Sequence, residues 1–112
     1  MTDRAPRFVN SLRVRPGVIQ LASAHAPVVW TVRVQAADAW DAVRVEATPE
    51  TPVRDIKQAA MADLLPDVEQ IDSYMVKLYG AEVLKEAQSL QAAGARDAST
   101  LFVTARRRRP VR

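Results

Sequence analysis

Between Val28 and Ala105 the apolar residues change their spacing twice, and that change limits what the chain can fold into. In VVWTVRVQ they alternate, with Trp30, Val32 and Val34 on one face and Thr31, Arg33 and Gln35 on the other. That is the period of a half-buried strand. DAVRVEA repeats it, sending Val43 and Val45 inward and Arg44 and Glu46 outward, near enough along the chain to close a hairpin. From Thr51 the period lengthens. Val53, Ile56, Ala60 and Leu64 recur at helical steps, which predicts a helix that leaves Arg54, Lys57 and Asp63 in water. Thr51 is placed to cap its first amides, Pro52 suits its first turn and Pro66 stops it. The acidic DVEQID that follows reads as a solvated loop.

Alternation returns in SYMVKLYG, punctuated by Gly80, and again in LFVTA, where Leu101, Val103 and Ala105 share one face and Phe102 and Thr104 the other. Between them, Leu84 and Leu90 are the apolar anchors of an irregular stretch: a short strand, a turn, and one helical turn over Leu90 to Ala93 ending at Gly94. One helix laid across one mixed sheet buries both apolar faces, and a right-handed crossover lets the first and last strands pair in parallel. The expected class is α+β, a β-grasp of four to five strands with one packed helix. It occupies residues 28–105, after an N-terminal extension (1–27) and before an arginine-rich tail (106–112).

Composition narrows the function. With no cysteine and a single histidine, His25, the chain cannot build a thiolate zinc site, a cysteine nucleophile, a disulfide or a multi-histidine metal centre. Carboxylate pairs such as Glu82 and Glu86 sit on a polar loop, Gly80 and Gly94 are turn residues outside any Gly-rich phosphate loop, and Trp40 reads as closing the edge of the core. No catalytic residue, cofactor or metal is expected. No run approaches the roughly 20 apolar residues of a membrane span, so the chain reads as cytoplasmic. The net charge of +3 conceals a division: +3 over residues 1–27, +5 over 106–112, and −5 over 28–105. The high sequence pI belongs to the ends, and the folded body is acidic.

The segment EVLKEAQSLQAAGARDASTLFV resembles ubiquitin after its third strand, without a gap, through Leu84, Leu90 and the Ser99-Thr100-Leu101 entry to the last strand. The chain is thus similar to the ubiquitin-like superfamily over roughly Val28 to Arg108. The turn Gly94-Ala95-Arg96-Asp97 is also similar to bacterial YukD-like ubiquitin-like proteins associated with type VII secretion. The resemblance implies a non-enzymatic module. It argues against a conjugated modifier, because Arg109-Pro110 stands where modifiers carry Gly-Gly, and proline restricts both itself and its predecessor.

Phe102 falls where the ubiquitin pattern places part of a recognition patch. Alternation exposes Met75, Lys77 and Tyr79, whereas the gapless comparison buries Lys77 and exposes Leu78. Alternation is the better guide, since an unpaired buried lysine costs several kcal/mol. The partner-binding residues are then Met75, Tyr79 and Phe102, with Thr104 at the rim, unless the N-terminal extension covers Phe102. Arg106, Arg107, Arg108 and Arg109 add charge, and they read as a solvated tail, as a contact for an acidic protein, or as a hold on nucleic acid or another acidic surface. The extension, with Pro16-Gly17 between its apolar stretches, reads as an extra hairpin, as an arm on its own domain or on a second copy in a homo-oligomer, or as a segment ordered by a partner.

Overall fold

The computed structural model describes residues 13–37 and 41–106, with side chains from Pro16 onward. Its elements are β1 (Arg13–Gln20), β2 (Trp30–Ala36), β3 (Asp41–Ala47), helix α1 (Val53–Leu64), a single 3-10 turn (Ile71–Ser73), β4 (Tyr74–Leu78), β5 (Ala81–Glu82) and β6 (Thr100–Ala105). They form one sheet in the order β1-β3-β2-β6-β4-β5, with α1 across one face. β2 and β3 are the expected hairpin, and β2 runs parallel to β6 through the expected crossover.

The inward residues of each strand meet the stripe of α1. Val32, Val34, Val43, Val45, Val76, Leu101 and Val103 are buried against Val53, Ile56, Ala60, Met61 and Leu64, and Leu90 closes the layer from the irregular stretch. At roughly 1.5–3 kcal/mol for each large apolar side chain, this burial is the main force holding sheet to helix. Leu84 is not an anchor: it is 80% exposed, and Val83 takes the buried place beside it.

The sheet has six strands, beyond the four to five expected, because part of the extension is structural. β1 lies parallel to β3 at the sheet edge, with Ile19 opposite Val45 and packed on the core. Pro16-Gly17 makes no hairpin; the register shifts there inside one strand, with Gly17 at φ +92. The part of the extension that forms β1 is therefore an arm on its own domain, and covering the β3 edge satisfies a row of backbone groups that would otherwise invite foreign strands. β2 begins at Trp30, and Val28 and Val29 stay exposed.

The start of α1 departs from expectation too. The Thr51 hydroxyl turns back, accepting the Thr48 amide at 3.0 Å, and the N-cap is Pro52. Two orphan amides find backbone partners across the fold instead, Val53 donating to the Gln88 carbonyl at 3.0 Å and Arg54 to that of Glu86 at 2.8 Å. The DVEQID segment is only partly solvated, since Val68 and Ile71 pack on the core.

Lys57 is the largest correction. It is 1% exposed, and its ammonium donates to the Tyr74 carbonyl at 2.7 Å and to Glu86 Oε1 and Oε2 at 3.0 and 3.2 Å. Three acceptors compensate a desolvated cation. Glu86, read as a loop carboxylate, is a structural partner that ties α1 to the stretch capping it.

Candidate functional site

The outer face of the sheet, opposite α1, carries Met75, Tyr79, Phe102 and Thr104, the residues expected from the sequence to meet a partner. Val76 and Leu78 are buried and Lys77 is exposed, so the alternation of β4 settles its register. β6 lies beside β4 with Lys77 opposite Phe102 and Met75 opposite Thr104. Phe102 is 46% exposed, while Met75 and Thr104 are half-buried. β1 sits three strands away at the far edge, so among the described residues the extension does not cover Phe102.

Tyr79 is presented by an unusual backbone. Tyr79 and Gly80 join β4 to β5 as a two-residue turn, both at positive φ, +53 and +84. Turns of this twist suit hairpins, but their first position favours Asn, Asp or Gly, and a bulky side chain there is strained. The phenol bonds the Ser99 hydroxyl at 2.7 Å, and that hydroxyl accepts the Arg96 amide at 2.9 Å. Although 65% exposed, the ring is thereby anchored over the loop before β6. That loop is fixed in turn by Asp97 Oδ1, which accepts the Thr31 amide at 2.8 Å.

Lys77, Tyr79, Arg96, Ser99, Thr100 and Phe102 thus surround a shallow groove of about 530 Å³. The structure brings Tyr79 and Phe102 into it and sets Met75 and Thr104 one pair further along the same face. Lys77 and the 96–100 loop were missed as site residues. Alternation already exposed Lys77, but no local pattern brings Arg96 beside Tyr79. Parallel pairing extends the face to β2, with Gln35 beside Phe102 and Arg33 beside Thr100.

Arg106 is no free tail residue. Its amide donates to the Ser73 carbonyl at 2.7 Å and its guanidinium to Glu82 Oε2 at 2.6 Å. Arg107, Arg108 and Arg109 lie outside the described residues, as does Trp40.

No family model and no curated protein sequence matches the chain. Solved structures do. The ubiquitin-like domain of an Arabidopsis thaliana protein superposes with a TM-score of 0.59 at 17% identity, covering 81% of this chain and 93% of that one. The fold is a ubiquitin-like β-grasp. A ubiquitin-like domain from tubulin-binding cofactor B gives a TM-score of 0.57 at 16% identity, over 69% of this chain and 89% of that one. A ubiquitin-like protein from Trypanosoma brucei gives 0.57 at 20%, over 73% and 100%. Such identities establish the ubiquitin-like architecture and leave function to the site itself. No helix among the described residues is long and apolar enough to cross a membrane.

Proposed function

We propose that this chain is a non-enzymatic ubiquitin-like docking module, acting in the cytoplasm, that binds a protein partner through Met75, Tyr79, Phe102 and Thr104. The observation that carries the reading is Tyr79. A bulky residue in a left-handed turn, with its hydroxyl tied down and its ring left in solvent, holds strain that a purely structural turn would shed by placing Asn or Gly there. Beside the half-exposed Phe102 it forms an apolar edge, and aromatic side chains supply large contact area at low entropic cost.

The test compares Tyr79→Ala and Phe102→Ala with the native chain in reversible crosslinking from its native cells. A crosslinked partner lost in both variants, with unfolding midpoints near native, supports the patch; retention in both variants rejects it. A modifier with a processed C-terminus is the competing reading, and intact mass together with a denaturing immunoblot separates the two. An uncut chain without adducts fits docking, whereas a trimmed end or a ladder that survives denaturation makes the protein a modifier.

Nucleic-acid or acidic-surface binding through the arginines is a further reading. One feature favours it: β1 is antiparallel to β6, so residues 13 and 106 stand at the same end of the sheet. Binding that weakens steeply with salt and vanishes with residues 106–112 would support it. Affiliation with YukD-like proteins rests on the Gly94–Asp97 turn alone, and Asp97 there has a structural task of its own.

A further inference from the structure

Charge is divided between the two layers of this domain. Arg33 and Arg44 are directly opposite on the β2–β3 ladder, both exposed on the outer face, and Lys77 lies on the same face two strands from Arg33. Like charges directly opposite oppose strand pairing, and nothing in the fold requires them. Among the described residues no carboxylate forms an ion pair with Arg33 or Arg44, whereas Lys77 has Glu82, itself bonded to Arg106, directly opposite on the β4–β5 ladder. Glu46, the acid on this part of the face, is taken by the Gln20 amide at 2.7 Å.

On the other side, the connection from α1 to β4 carries Asp67, Glu69 and Asp72 with no base among them, and no cation among the described residues pairs with these three. This acidic side is also concave. Gln58, Glu69, Gln70, Ile71, Asp72 and Ser73 line a groove of about 530 Å³, polar at its walls with Ile71 within. Arg33 and Arg44 project unpaired from one layer, and Glu69 and Asp72, unpaired as well, line a groove on the other. The two pairs match in number and are opposite in sign.

We infer that the occupant of the Arg33–Arg44 face is the 67–73 groove of a second copy of this chain. The two surfaces differ and lie on different layers, so the contact is head-to-tail and leaves a free surface of each kind at the ends. Unless the rotation closes a ring, association proceeds to open chains whose length grows with concentration. The inference does not rest on the foreign partner proposed above: Tyr79→Ala and Phe102→Ala test that reading, and neither changes a charge used here.

Sedimentation velocity on the full chain provides the test, at about 0.1 M and about 1 M salt, where the Debye length falls from roughly 10 Å to 3 Å. The native chain is expected to gain average mass with concentration at the lower salt and to lose that gain at the higher. Arg33→Glu with Arg44→Glu, and separately Glu69→Lys with Asp72→Lys, should each sediment as monomers. Mixed in equal amounts they should associate again with the two variants alternating, because the native groove of the first meets the native face of the second and the two altered surfaces meet as opposite charges. A native chain that stays monomeric at the lower salt overturns the inference. So does an arginine double variant that still associates, which would assign the acidic side to the arginine tail, or a mixture that stays monomeric. If either charge reversal fails to fold by circular dichroism, Arg33→Thr with Arg44→Thr and Glu69→Gln with Asp72→Asn replace it, under the same requirement that each be monomeric alone.

Discussion

Lys57 on the helix side and Lys77 on the outer sheet face carry the same charge in opposite circumstances. The first is 1% exposed, with a carbonyl and a carboxylate closed around its ammonium. The second stands in solvent between Phe102 on β6 and Glu82 on β5, and among the described residues no ion pair closes on it. Where the fold has buried a cation, it has drawn acceptors from β4 and from a loop 29 residues further on to satisfy it. Where it has left cations outside on β2 and β3, it has set Arg33 directly opposite Arg44. Lys57 is thus accounted for by the fold, whereas Arg33 and Arg44 have to be explained by what meets them.

The contrast breaks most visibly at the buried pair. Lys57→Ala leaves Glu86 nearly enclosed without its partner and should cost about 3–5 kcal/mol in denaturant unfolding, while Lys57→Met with Glu86→Leu should fall within about 1 kcal/mol of native. Equal and small losses for both would mean that the pair is solvated. Ile19→Ala removes a contact of β1 with the core and should cost about 1–2 kcal/mol, less than a fully buried isoleucine. A loss below a few tenths would show that β1 adds no stability. On the outer face the sign reverses: Arg44→Thr relieves the opposition with Arg33 and should raise stability by about 0.2–1 kcal/mol at low salt. A loss instead would mean that Arg44 is held by a contact the fold does provide. Phe102→Ala should change stability least, by about 0.5 kcal/mol, while weakening the proposed docking.

Most of the sheet and the helix were legible because their apolar periods are local, and Val32, Val43, Ile56 and Val103 lie where alternation and helical spacing put them. β1 was not. Its pairing with β3 crosses a whole hairpin, and Pro16-Gly17 interrupts the alternation that would have announced a strand. Lys57 carried a signal that chemistry masked. The buried set Val53, Ile56, Lys57, Ala60, Met61 and Leu64 is an unbroken helical stripe with a lysine inside it, but its partner Glu86 lies too far along the chain for any spacing rule. At the candidate site, exposure of Tyr79, Lys77 and Phe102 followed from alternation, while the loop carrying Arg96 and Ser99 reached them only through tertiary bonds.

The parallel edge strand has a mechanical consequence. Residues 13 and 106 emerge at the same end of the sheet, so tension applied through them would peel β1 from β3 one backbone bond after another. Once β1 has gone, the load passes to the start of β2 and the end of β6, which sit at opposite ends of two adjacent parallel strands. Their bonds then resist together, in shear. A tethered chain pulled in an optical trap should first lengthen at low force and then hold until a much higher one, a compliant clasp in series with a stiff one.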